Sequence, residues 1–255
     1  MDTIDETIRT IAKLILVAET VIFFTGAGTS VHSGIPDFRS EGGLWEKFDP
    51  REVATIRAFR KNPEKVWGFF RTMYEGFQPV KPNASHLAVT EIQQIKGNNK
   101  VHIATQNIDG LHQKSGSTNV YELHGNPDLI HCIRCSHEEK MNYEKHIEPE
   151  KIPMCPKCDN PLKPKVILFG ETLDMDVFNL AMEVAKRSNI AVGIGTSLEV
   201  FPAADILLSP SPPTKKALFN LTPTLYNEQL DYYVEGDMIE TLPALVGILK
   251  EISKR

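Results

Sequence analysis

Val21-Ile22-Phe23-Phe24-Thr25-Gly26-Ala27-Gly28-Thr29-Ser30-Val31-His32-Ser33-Gly34-Ile35-Pro36-Asp37-Phe38-Arg39 is the stretch from which the fold is read. An apolar, β-prone run, Val21 to Phe24, ends in the turn Gly26-Ala27-Gly28. Glycine lets the main chain approach a ligand closely, so a buried strand ending this way can present N–H groups to a phosphate. A dinucleotide is the expected guest. The usual dinucleotide fingerprint, however, needs a third glycine at position 31, where this chain has Val31. Ser33 to Arg39 then reads as an ordered loop rather than the first helix of a dehydrogenase.

Outward from this stretch, strands and helices alternate. Ile4, Ile8, Ile11, Ala12, Ile15 and Leu16 recur at helical spacing and predict an opening amphipathic helix. Residues 41–77 are helical in pattern and rich in aromatics, with Trp45, Phe59, Trp67, Phe69 and Phe70; Ser85–Ile95 reads as a further helix. Strands are expected at Val101–Thr105, Val120–Leu123, Val166–Phe169, Ile190–Ile194 and Ala217–Phe219, and a helix at Asp176–Arg187. Alternation of this kind predicts an α/β fold, a Rossmann-like parallel sheet flanked by helices, whose ligand lies beyond the carboxyl ends of the strands. Gly26, Gln106, His124, Gly195 and Asn220 all follow predicted strand ends.

At 255 residues the chain can bury a full core, and 41% hydrophobic with 24% charged residues is ordinary for a globular protein. The net charge of −5 argues against a nucleic-acid protein held by phosphate neutralisation, and no direct sequence-specific nucleic-acid binding is expected. Apolar runs reach about seven residues, far short of the roughly 20 a membrane span needs. The opening Met1-Asp2-Thr3-Ile4-Asp5-Glu6 is acidic, unlike the basic start of a signal peptide, so a cytoplasmic protein is expected.

Between Asn126 and Pro164 the chain turns polar and carries all four cysteines, as Cys132-x-x-Cys135 and Cys155-x-x-Cys158, nineteen residues apart. Two tight turns each offering two thiolates form the ligand set of a zinc ribbon. Two disulfides or four ordinary core thiols are the alternatives, and the absence of a secretion signal disfavours disulfides. Four thiolates fill a tetrahedron and leave no place for water, so one structural Zn2+ is expected.

In this order, Gly26-Ala27-Gly28, Pro36-Asp37-Phe38-Arg39, Gln106-Asn107-Ile108-Asp109, His124-Gly125, the cysteine quartet, Phe169-Gly170-Glu171 and Gly195-Thr196-Ser197 make the chain resemble the sirtuins. Sirtuins are NAD-dependent protein-lysine deacylases, and the resemblance runs from about Thr20 to about Leu245. It implies a Rossmann-like NAD-binding domain from residues 1–40, 78–125 and 166–255. A helical module, 41–77, and a zinc module, 126–165, then form a smaller domain. In this family NAD+ is a co-substrate: the acyl oxygen attacks the ribose carbon bearing nicotinamide, and a histidine acts as base on a ribose hydroxyl. The products are free lysine, nicotinamide and O-acyl-ADP-ribose, and the partner is an acetylated-lysine protein or peptide.

Carried onto these residues, the resemblance makes His124 the base, with Asn107 and Arg39 beside it in catalysis. Ala27, Gly28 and Ser30 supply pyrophosphate donors, and Asn107 and Asp109 can together read a carboxamide. Asp37, Phe38, Gln106 and Ile108 join the nicotinamide-ribose part. Gly195, Thr196, Ser197, Asn220, Leu221, Asp237 and Met238 hold the adenosine half. Val166, Phe169, Gly170, Glu171 and Val200 form the peptide segment, where the substrate pairs as an added strand. Each has a plainer alternative: Asp37 and Asp109 as caps, Phe38 as core, His124 as a turn residue.

Sirtuins that remove acidic acyl groups carry Tyr-x-x-Arg in the helical module; Phe70 and Met73 occupy those places here. Apolar residues cannot satisfy a buried carboxylate, so acetyl or longer apolar acyl groups are expected over succinyl or malonyl. A dehydrogenase would need an acidic residue about 20 positions past the glycines at a strand end, and Glu46 and Asp49 fall instead in the helical stretch. Protein ADP-ribosyl transfer shares the same NAD site and stands as the alternative activity.

Overall fold

The structure, a computed structural model, describes residues 2–77, 80–148 and 151–254. Nine strands are present among them: β1 Val21–Thr25, β2 Val101–Thr105, β3 Val120–Glu122, β4 Gly125–Cys132, β5 Glu138–Lys140, β6 Leu162–Val166, β7 Ile190–Ile194, β8 Lys215–Asn220 and β9 Tyr232–Glu235. The chain divides into two units, residues 1–35, 81–123 and 175–255 in the larger, 36–80 and 124–174 in the smaller.

The larger unit is built on a parallel sheet in the order β3-β2-β1-β7-β8-β9. Its three central strands, β1, β2 and β7, are buried at every residue, which explains their largely apolar runs, interrupted only by His102 and the closing Thr25 and Thr105: both faces are covered. Phe23, Ile103, Val192, Ile194 and Phe219 project into one core with Ile8, Ile11 and Ile15, Val89 and Ile92, and Leu242 and Leu249, residues of the helices Asp2–Val17, Ala84–Lys96 and Met238–Ser253. Gly193 alternates to the opposite face. There a Cβ would lie 2.7 Å from Leu207 Cδ2, a residue of the short helix Asp205–Leu208, so glycine permits the close helix–sheet contact. No described helix is long and apolar enough to cross a membrane.

The smaller unit holds the antiparallel sheet β5-β4-β6, the short helix Tyr143–His146 and, before them in the chain, four helices, Leu44–Lys47, Pro50–Val53, Ile56–Lys61 and Pro63–Phe77. The single helical pattern read at 41–77 is thus broken, by Asp49 capping Arg51 N, Thr55 capping Ala58 N and the prolines at 50 and 63. Trp67 ties the longest of these helices to β6, donating Nε1–H to Leu162 O at 2.8 Å. Tyr74 reaches β4 through Pro127 O, also at 2.8 Å. The strand expected at Val166–Phe169 lies earlier, at β6, because its partner β4 starts at Gly125 and pairs Gly125 with Val166. That pairing also draws His124, Gly125 and residues 166–174 into the smaller unit.

Candidate active site and metal centre

In the larger unit the strand-end loops are bonded to one another. Gly26 N donates to Ile194 O and Gly28 N to Gly195 O, each at 3.0 Å. A Cβ on Gly26 would sit 2.7 Å from Gly195 O, and one on Gly195, whose φ is +57°, 2.4 Å from Thr29 N. Packing of loop on loop therefore requires these glycines, and the Gly28 N–H is engaged inside the protein rather than turned to a ligand. Ala27 opens the 3-10 turn Ala27–Ser33.

Asn107 and Asp109 meet at Ser30. Asn107 Nδ2 donates to Gly26 O (3.0 Å) and to Ser30 Oγ (3.1 Å), and Ser30 Oγ donates to Asp109 Oδ2 (2.7 Å). The other Asp109 oxygen accepts Leu111 N at 2.8 Å, so its expected capping role and its place in the cluster coexist. Ile108 lies half-buried between them. Gln106 Nε2 donates to Thr196 Oγ1 at 3.0 Å, linking the second and fourth loops of the sheet.

Two buried histidines stand behind this cluster, and sequence reasoning assigned neither to it. His86 Nε2 reaches Ser30 Oγ at 3.5 Å, and its Nδ1 accepts Asn83 N at 3.4 Å. His112 Nε2 donates to Thr25 Oγ1 at 3.0 Å, which donates to Thr105 Oγ1 at 2.8 Å, which accepts Asn107 N at 3.0 Å. Burial pushes His86 down to about 4, with Asp109 opposing, and His112 to about 3, helped by the neighbouring His86. Both rings are neutral near pH 7. Asn83-x-x-His86 at the start of a helix is a capping box, the signal that could have marked His86.

At the other end of the sheet, Asn220 Nδ2 donates to Thr222 O at 2.7 Å, and Leu221 is 61% exposed. Asp237 caps the helix Met238–Ser253 and pairs with His32 Nε2 at 2.8 Å. The Met238 side chain belongs to the core, so only its main chain can serve a ligand. Ser197 is exposed, its Oγ donating to Glu199 Oε2 at 3.4 Å; Val200 is half-buried.

In the smaller unit, half-buried His124 immediately precedes β4, and its carbonyl accepts Ile167 N–H at 2.8 Å. Val166 is paired with Gly125. Phe169 gives its N–H to Ala54 O (2.9 Å) and its carbonyl to Ile56 N (3.1 Å), and its side chain is 46% exposed. Gly170 takes φ +84°, and Glu171 Oε2 accepts Leu168 N at 2.8 Å. Asp37 is a loop cap: Oδ1 accepts Arg39 N (3.0 Å) and Ser40 N (2.8 Å), and Oδ2 accepts Ser40 Oγ–H. This turn presents Arg39 to solvent, and Phe38 rests on Trp45 with ring centres 4.9 Å apart.

The four cysteine sulfurs all lie within 4.8 Å of one another, with Cys132–Cys158 and Cys135–Cys155 at 3.5 Å. Those separations exceed the roughly 2 Å of a disulfide and match a tetrahedron of about 2.3 Å metal–sulfur bonds. Arg134 N and Cys135 N point at Cys132 Sγ, and Asn160 Nδ2 at Cys158 Sγ, as suits thiolate acceptors. The site fits Zn2+.

Against known proteins, a profile described as the Sir2 family matches residues 26–202. The NAD-dependent protein deacylase of Pyrococcus furiosus is 36% identical over 249 residues, covering 96% of this chain and 98% of the relative. A solved structure described as "Structural Basis for the Mechanism and Regulation of Sir2 Enzymes" superposes with a TM-score of 0.89 at 36% identity, covering 97% of this chain and 99% of that one. A Sir2 variant holding a deacetylated p53 peptide and 3'-O-acetyl ADP-ribose matches with a TM-score of 0.85 at 29% identity, over 94% and 97% of the two chains. The chain belongs to the Sir2 family.

Proposed function

We propose that this chain is an NAD-dependent protein-lysine deacetylase that transfers the acyl group to ADP-ribose and releases nicotinamide. The observation that carries this reading is the cluster in which Ser30 Oγ joins the Asn107 amide to the Asp109 carboxylate. The carboxylate of Asp109 and the amide oxygen of Asn107, held a fixed distance apart, are acceptors suited to the NH2 of a carboxamide. The cluster is bonded before any ligand arrives, with both Asn107 Nδ2 protons taken by Gly26 O and Ser30 Oγ, so the acceptors it has left need no reorganisation during reaction. Binding energy gathered along the sheet's loops can then be used to strain the nicotinamide bond.

NAD, when bound, supplies the electrophilic ribose carbon. In this reading NAD is held by the strand-end loops with Ser30, Asn107 and Asp109. His124 takes a proton from a ribose hydroxyl, base work to which an imidazole is suited near neutral pH. Arg39 orients the ribose and phosphates, and Phe38 shields them from water. The residues Val166, Phe169, Gly170 and Glu171 carry the acyl-lysine peptide. The cysteine quartet would hold one Zn2+ that supports β4 and takes no chemical part.

Apolar acyl groups are the proposed substrates. Phe70 and Met73 are buried, and the Arg71 guanidinium donates to Lys151 O. The test is mass spectrometry of an acetyl-lysine peptide incubated with NAD, beside His124→Ala. Equal amounts of deacetylated peptide, nicotinamide and acetyl-ADP-ribose, all lost in the variant, are expected. Nicotinamide released while the peptide stays acetylated would favour ADP-ribosyl transfer instead.

A further inference from the structure

Among the described residues, Lys163 is the only Lys, Arg, Asp or Glu that is buried, at 1% exposure. A buried ammonium needs all three of its protons placed. Lys163 Nζ donates to Val166 O at 2.6 Å and Pro164 O at 3.1 Å, and lies 3.0 Å from Glu171 Oε2. That same oxygen accepts Leu168 N. One ion pair therefore holds main-chain groups of residues 164, 166 and 168 from the inside. On the outside, Ile167 N is bonded to His124 O, and Phe169 to Ala54 and Ile56.

The arrangement is a costly way to gain stability. Burial lowers the affinity of Lys163 for its proton, and Glu171 opposes that effect. Buried ion pairs commonly contribute no more than well-packed apolar residues of similar size. What a fork of three donors provides and an apolar side chain lacks is a fixed backbone shape. Here that shape belongs to the segment assigned to the acyl-peptide, and it is bonded to the residue assigned as base.

We propose that Lys163, acting through Glu171 and the carbonyls of Pro164 and Val166, is a positioning residue that sets the peptide-binding backbone in register with His124. The inference rests on the deacetylase reading. Lys163→Met keeps the length of the side chain and removes its charge and donors. The expected result is a peptide KM raised about tenfold, with the KM for NAD within about twofold and one zinc still bound per chain. Glu171→Gln, a milder change, raises the peptide KM about threefold, and Lys163→Arg recovers most of the loss.

Peptide KM within twofold of wild type in Lys163→Met and Glu171→Gln, both zinc-replete, overturns the proposal, as does an equal rise in both KM values. If Lys163→Met fails to fold, Glu171→Gln decides alone. Fluorescence anisotropy of a labelled acetyl-lysine peptide gives the same comparison without turnover. A wild type that binds peptide but does not turn over defeats the deacetylase reading only, and weaker peptide binding by the variants still supports the positioning role. A wild type that neither binds nor turns over defeats both.

Discussion

The main-chain oxygen of His124 accepts the N–H of Ile167 at 2.8 Å, so the residue assigned as base and the segment assigned to the peptide are one hydrogen-bond apart. The next residue makes this possible. Gly125 has φ +83°, and a Cβ there would sit 2.2 Å from Lys165 O. Only glycine lets β4 turn into register with β6 immediately after the histidine.

Gly125→Ala is accordingly expected to cost at least about 2 kcal/mol, since both a left-handed backbone and a contact with fixed main chain must be relieved. Activity falls further than stability, because the strand that shifts begins immediately after His124. Urea unfolding together with kcat on an acetyl-lysine peptide measures the two losses separately.

Ser30→Ala removes the hydroxyl that accepts from Asn107 and donates to Asp109. Two partly buried groups then lose a partner, which costs about 1–3 kcal/mol apiece. Nicotinamide release is expected to slow by roughly 100-fold while zinc content and the peptide KM stay unchanged. Nicotinamide production in the presence of saturating peptide is the measurement.

Acid should weaken the larger unit through His86 and His112. Their folded values, about 4 and about 3, lie below the ordinary 6.5, so the unfolded chain binds more protons between those limits. Stability is fully present above pH 6.5 and is lost as pH falls toward 4, by about 2 kcal/mol per histidine between pH 7 and pH 5. In His112→Gln, the difference between urea midpoints at pH 7 and pH 5 should shrink, by at most about half.

Chelation of the metal should be visible in fluorescence. Both tryptophans, Trp45 and Trp67, lie in the smaller unit, and Trp67 Nε1 is bonded to β6, which pairs with β4 at Cys132. Removing one zinc per chain, or replacing Cys135 by Ser, is expected to shift emission to the red and abolish deacetylation. NAD binding to the larger unit should survive. Calorimetric titration with NAD, before and after chelation, tests that separation.

Acyl preference turns on two positions. Phe70→Tyr combined with Met73→Arg supplies a hydroxyl and a guanidinium where the chain now has apolar groups, and a bidentate pair can offset carboxylate desolvation. The ratio of succinyl to acetyl kcat/KM should rise by at least about tenfold. Succinyl-lysine processed faster than acetyl-lysine by the unaltered chain would contradict the apolar preference.

Much of this protein is written locally. The strands at 21–25, 101–105 and 190–194 are legible because a strand covered on both faces is apolar at most of its residues. The metal centre is legible because Cys-x-x-Cys closes within a single turn, and its chemistry needs only one matching turn elsewhere. The ordered motifs carried the family for the same reason.

What tertiary structure alone decided are the partnerships across long loops. Asn107 meets Gly26 across 81 residues and Ser30 across 77, and nothing in either segment encodes the other's approach. Gly28 looked like a phosphate donor and is bonded to Gly195, because two loops pack where glycine alone fits. Lys163, in the polar stretch that carries the cysteines, is buried against Glu171. Periodicity reports which face of an element is covered; it cannot report what covers it, since that depends on closing the chain around the core.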